Sequence, residues 1–201
     1  MIKSRAKPSS LRVLGIDPGT RVLGFGLIAA RGGDMRALEY GVLRGGRGEL
    51  PGRLERIFAG LEAVLRRTRP DRIAIERVFI DKDPRAAIAL GEGRGVALLA
   101  AARCGAEIVE ITPAEAKKSV AGHGAATKAQ VQRMVQLQLG LARPPAPADA
   151  SDALALAICA AMRRAAGPNC EISQFGISPA VRRAGALPPD ILRRAFAKAR
   201  R

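Results

Sequence analysis

Apolar and polar residues fall in blocks along the chain, and the block lengths predict its elements. Residues 11–16 (LRVLGI) are a mainly apolar run that ends in Asp17, and Pro18-Gly19-Thr20 follows. A second run, 23–30, begins after Arg21, so this stretch predicts a buried strand, a tight turn and a second strand. Gly32-Gly33-Asp34 predicts the next turn and 35–43 a third strand, which completes an antiparallel meander. Beyond the loop Gly45-Gly46-Arg47-Gly48, apolar residues at 54, 57, 58, 61, 64 and 65 recur at helical spacing, with Arg and Glu on the other face. They predict a helix over 50–68 that Pro70 ends. Residues 72–76 (RIAIE) predict a short strand that again ends in an acid, Glu76, and Val78-Phe79-Ile80 leads from it into the charged loop Asp81-Lys82-Asp83-Pro84. An Ala-rich helix is expected over 85–103. It carries Gly91, Gly93 and Gly95, each costing about 1 kcal/mol in a helix interior, so close packing is expected there. Residues 107–111 predict a fifth strand. Thr112 and Pro113, as N-cap and first turn, open a short helix bearing Lys117 and Lys118. A loop with His123, a helix over 127–139, a Pro-rich connector over 143–147 and a last strong helix over 149–164 complete the pattern. The order β-β-β-α-β-α-β-α-α-α predicts the α/β class: a mixed sheet flanked by helices.

Periodicity weakens at both ends. Residues 1–10 read as a basic, mobile leader, 11–166 as one folded domain, and 167–201 as a basic appendage. Arginine pairs at 163–164, 182–183, 193–194 and 200–201 suit non-specific attraction to DNA, and equally plain solubility. The leader has no apolar stretch and is not expected to be a secretory signal. No run approaches the length of a membrane span.

Composition changes this picture in two ways. Aromatic residues are only 3% of the 201 and Trp is absent, so the core must be aliphatic. The 34 Lys and Arg against 18 Asp and Glu give a formal charge of +16, which points to a polyanionic partner, with nucleic acid the first candidate. Three cysteines, Cys104, Cys159 and Cys170, form no CxxC pair, which argues against a disulfide framework or a zinc site and for a reducing cytoplasm. His123 is the only histidine, which excludes a His-pair metal site.

Against that cationic background four acids stand out. Asp17 ends the first strand and Glu76 the fourth; Asp149 and Asp152, three residues apart, share one face of the last helix. If the first and fourth strands are parallel neighbours, Asp17 and Glu76 lie side by side and the last helix can face them. Such a set of hard oxygen ligands suits Mg²⁺ or Mn²⁺, and a pair of these ions suits phosphodiester hydrolysis. Taken singly, each acid has a structural reading as a helix cap, an Asx turn or a solvated strand end. Taken together in a basic protein, they predict a nuclease site.

Four segments carry a resemblance to a known family. GIDPGTRVLGFG, AIERVFIDKDPRAAIALGEGRGVALLAA, KKSVAGHGAATKAQVQRMV and DASDALALAI resemble, in order and spacing, the motifs of the RuvC family of bacterial Holliday-junction resolvases, over residues 11 to about 164. The resemblance implies an RNase H-like nuclease domain, a homodimer, Mg²⁺ dependence and paired symmetric nicks across four-way DNA junctions in recombination and repair. It places catalytic acids at Asp17, Glu76, Asp149 and Asp152, a junction-contacting aromatic at Phe79, and basic substrate contacts at Lys117 and Lys128. It implies the RuvA–RuvB branch-migration complex as partner. Among rivals, an actin-like phosphotransferase also uses DxGT to cradle phosphate, but it needs a second related domain and the chain holds no second copy. A non-catalytic junction binder is expected to have lost an acid, whereas all four are present. An RNase H-type enzyme acting on hybrids stays open.

Overall fold

The computed structural model describes residues 10–77 and 84–163, with side chains from Ala87 onward in the second stretch. Most of the leader, Phe79, Cys170 and the appendage 167–201 lie outside the described residues. Elements follow in the expected order: β1 (Leu11–Asp17), β2 (Val22–Arg31), β3 (Asp34–Arg44), α1 (Leu50–Thr68), β4 (Arg72–Glu76), α2 (Pro84–Cys104), β5 (Glu107–Ile111), α3 (Pro113–Ala121), α4 (Lys128–Gln138) and α5 (Ala148–Met162).

The strands form one sheet in the order β3-β2-β1-β4-β5. β2 pairs antiparallel with both β1 and β3, while β4 pairs parallel with β1 and with β5. Successive side chains alternate between faces, so register decides which residues meet which layer. Leu14, Ile16, Leu23, Phe25, Leu27, Ile73 and Ile75 face a cluster built with α1 and α2. Val13, Ile28 and Ala74 face the other cluster, under α3, α4 and α5. Phe25 is the sole aromatic among the described buried residues, so the core is aliphatic as the composition requires. The outer strand β3 alternates exposed and half-buried positions, as an edge strand with one wet face does.

α5 is the central helix of its layer. From Ala150 to Ala160 every residue except Asp152 is buried, a helix apolar almost all round and enclosed by sheet and neighbouring helices. It lies close because β1 and β2 present glycines to it: a methyl on Gly15 would fall 1.8 Å from the Ala153 carbonyl oxygen, and one on Gly24 2.1 Å from that of Asp149.

Several boundaries differ from the expected ones. Thr127 is the N-cap of α4 rather than its first residue, because its side chain accepts from the Gln130 N–H while Gln130 answers the Thr127 N–H. α5 runs from Ala148 to Met162, with Pro147 at its N-cap, so neither Asp149 nor Asp152 serves as the cap. The glycines of α2 also divide. A methyl on Gly93 would sit 2.8 Å from the Gly19 backbone, whereas nothing lies within 4 Å of one on Gly91 or Gly95. Among the described residues, close packing therefore explains Gly93 alone of these three.

Candidate active site

Parallel pairing of β1 with β4 joins Gly15 to Ala74 and Ile16 to Ile75. One step further along each strand stand Asp17 and Glu76, level with one another on the face that α5 covers. The first turn of α5 brings Asp149, and its next turn Asp152, over the same strand ends. Asp17, Glu76, Asp149 and Asp152 line one cleft of about 300 Å³, together with Lys117 and Lys128. The four acids and two lysines that the resemblance implies as site residues thus meet in one place.

The lysines are set by well-capped helices. Thr112 accepts from the Glu115 N–H at 3.2 Å, and its own N–H donates to Glu115 at 2.8 Å, closing a capping box at the start of α3. The matching box of Thr127 and Gln130 makes Lys128 the first residue of α4. Such caps stabilise a helix by about 1 kcal/mol each, and here they fix where a charge enters the cleft. Lys128 Nζ stands 4.0 Å from Asp152 Oδ2. Lys118 is exposed and does not line the cleft, and His123 is exposed in the α3–α4 loop.

Electrostatics mark the cleft as a place that lacks positive charge. The Asp17 carboxyl is pushed up to about 8, first by burial, then by the charges of Glu76, Asp152 and Asp149, with Lys128 opposing. Burial also raises Glu76, with Asp152 adding to it, while a hydrogen bond from Asp17 and the nearby Lys128 work against the rise. Asp152 is raised by burial; Lys128 opposes this, Asp149 adds to it, and Lys117 opposes it again. Without a cation, Asp17 therefore holds a proton at neutral pH and shares it with Glu76. Among the described residues, no three His, Cys, Asp or Glu side chains are gathered into a ready ligand cage. The acids share a cleft rather than an ion-sized point, as mutually repelling carboxylates do. An all-oxygen donor set with raised proton affinity fits a hard divalent cation, whose charge would displace the proton and draw the carboxylates together.

Sequence reasoning missed the parts that position these groups. Gly15 and Gly24 seat the backbone of α5, Gly26 admits its Leu154 side chain, and Gly93 of α2 seats the loop after Asp17. The signal was present: Gly24 and Gly26, alternate residues in a strand, mark one face as a site of close approach. Phe79, the expected aromatic contact, lies outside the described residues.

The chain is similar to known proteins over most of its described residues. The model of the crossover junction endodeoxyribonuclease RuvC family matches residues 13–160. The crossover junction endodeoxyribonuclease RuvC of Moorella thermoacetica is 50% identical over 148 residues, which are 73% of this chain and 89% of that protein. Its counterpart from Chloroflexus aggregans is 44% identical over 169 residues, 84% of this chain and 100% of that protein. The solved structure of T. thermophilus RuvC in complex with Holliday junction substrate is 36% identical and matches with a TM-score of 0.70, covering 74% of this chain and 92% of that one. A family model that matches residues 13–160, with relatives 50% and 44% identical over most of the chain, makes this chain a member of the RuvC family of crossover junction endodeoxyribonucleases.

Proposed function

We propose that this chain resolves four-way DNA junctions in recombination and repair, hydrolysing one phosphodiester in each of two opposed strands. The observation that carries the reading is the level placement of Asp17 and Glu76 at adjacent parallel strand ends, beneath the acids of α5 and beside two lysines. Nucleases of the RuvC family depend on divalent metal ions. In this reading Asp17, Glu76, Asp149 and Asp152 hold two Mg²⁺ ions, with Mn²⁺ as a substitute. When bound, such ions supply the charge that activates a water and stabilises the leaving 3′-oxygen. Lys117 and Lys128 hold the phosphates beside the scissile bond and offset charge that grows in the transition state. Phe79 stacks on a base unpaired at the crossover, an interaction of about 1–3 kcal/mol.

Two symmetric cuts need two sites, so the working form is a homodimer. The outward face of α2 supports this: Ile88 is 64% and Leu99 56% exposed, and open space lies over Gly91 and Gly95 between them. RuvA and RuvB are the partners that deliver the junction, and the cytoplasm is the site of action. No helix among the described residues is long and apolar enough to cross a membrane.

The test is cleavage of a synthetic four-way junction with and without Mg²⁺, beside a linear duplex and an RNA–DNA hybrid. Symmetric nicks on the junction alone, only with the metal, are the expected result. Cutting of the hybrid with the junction left intact would replace this reading with an RNase H-type activity.

A further inference from the structure

At the same end of the sheet as Asp17, the turn between β3 and α1 is held by two arginines of α1. Arg53 donates from Nε to the Thr20 carbonyl at 3.3 Å and from Nη1 to that of Gly48 at 2.9 Å. Arg56 donates from Nε to the Gly45 carbonyl at 2.5 Å and from Nη2 to that of Arg47 at 2.8 Å. The Gly45 N–H donates to the Arg21 carbonyl at 2.8 Å, which ties this turn to the one after Asp17. Gly46 and Gly48 have φ of 73° and 107°, so the clamped path depends on residues without a Cβ. Cations in the first turns of a helix oppose its dipole, so Arg53 and Arg56 are there at some cost. What that clamp presents is three exposed arginines, Arg21, Arg44 and Arg47, whose side chains have no hydrogen bond or ion pair among the described residues.

Register fixes where they stand. Asp17 pairs with Gly24, Gly24 with Val42, and Arg44 lies two residues past Val42, on the sheet face that Asp17 shares. Two strand spacings across and two residues along put the Arg44 and Asp17 backbones about 12 Å apart.

We propose that the clamped Gly45–Gly48 turn, with Arg21, Arg44 and Arg47, is a seat for the phosphate backbone of a duplex arm leaving the cleft. The proposal rests on the nuclease reading above and extends it from the scissile bond to the arm. Cations carried on a clamped backbone meet phosphates without ordering a loop first, and guanidinium forks suit phosphate oxygens. Phosphate contacts position DNA without reading its sequence, so the seat acts on duplex and junction alike.

The experiment is a salt titration of binding, with metal chelated, on a linear duplex and on a four-way junction. Arg44→Gln with Arg47→Gln is compared with Arg31→Gln and Arg36→Gln, which remove equal charge at the far end of the β2–β3 hairpin. The seat pair is expected to flatten the slope of log K against log salt by about 1.8, at about 0.9 per lost contact, on both DNAs. The control pair is expected to leave the slope within error of wild type. Equal changes from the two pairs, or none from either, would overturn the seat. A wild-type protein that binds as expected but cuts no junction in Mg²⁺ would overturn the nuclease reading and leave the seat standing.

Discussion

Asp17 lies half-buried among like charges, and the proton it keeps has consequences for stability. Its carboxyl is pushed up to about 8 from an ordinary value of 3.8, first by burial and then by Glu76, Asp152 and Asp149. Between about pH 4 and about pH 8 the metal-free folded chain therefore holds a proton that the unfolded chain has released. Stability falls as pH rises through that window, contributes nothing below it, and is at its lowest above it. In chelator, the melting temperature of the wild type is expected to drop between pH of about 5 and about 8. Asp17→Asn removes one of the crowded charges at nearly constant volume, so the variant should melt higher than wild type at the upper pH and show a flatter profile. Adding Mg²⁺ should raise the wild-type melt most at that same pH, where the acids are most nearly ionised. The same substitution should lower junction cleavage by about 10²–10³ while binding persists or tightens. A variant less stable than wild type at the upper pH, in chelator, would refute the account of crowded charge.

The acids of α5 are useful only at the height at which the sheet lets that helix sit. A methyl at Gly24 would lie 2.1 Å from the Asp149 carbonyl oxygen and 2.5 Å from its carbon, contacts that only backbone movement relieves. Gly24→Ala is thus expected to lift the start of α5, with a loss of about 1–3 kcal/mol in stability from overpacking. Misplacing a catalytic group by about 1 Å can cost about 10²-fold in rate. Cleavage at saturating junction should fall far more than junction affinity. Gly41→Ala, whose methyl would meet only the Phe25 ring at 3.4 Å, should change neither by much. Equal effects of the two variants on turnover would show that the glycine seat does not set the site. These elements also show what the sequence could tell and where it stopped. Block lengths located every strand and helix among the described residues to within a few residues, and the acids at strand ends were visible because a carboxylate has no place inside a buried strand. The seat was not visible, since a glycine in a strand reads alike whether it bends the chain, sits idle or admits a helix. Arg53 and Arg56 read as the wet face of an amphipathic helix, although cations in its first turns were a clue that a partner awaited them. The three glycines of α2 looked equivalent because spacing alone does not reveal which neighbour each one meets.

At the scale of the molecule, the remaining question of assembly turns on α2. Ile88 and Leu99, three helical turns apart, are 64% and 56% exposed, and Gly91 and Gly95 between them leave room for another backbone. Among the described residues this face has no packing role, so changing it should spare the fold. In the dimer proposed here it is buried, and a charge placed there has no partner. At protein concentrations low enough for the wild type to be monomeric, Ile88→Glu with Leu99→Glu is therefore expected to melt within about 1 kcal/mol of wild type, as exposed substitutions away from packed features do. By sedimentation the variant should run as a monomer where the wild type runs as a dimer. Its chemistry should survive in altered form, because each chain carries its own four acids. A cruciform extruded from closed-circular DNA separates the two cases. Paired cuts within the lifetime of one complex give linear DNA. A single nick relaxes the circle, the cruciform is reabsorbed, and the product is a nicked circle that is no longer a junction. Wild type should thus yield mainly linear product and the variant mainly nicked circles. A monomeric variant that still linearises the circle would break the link between assembly and paired cutting, and a variant that remains dimeric would move the interface away from α2.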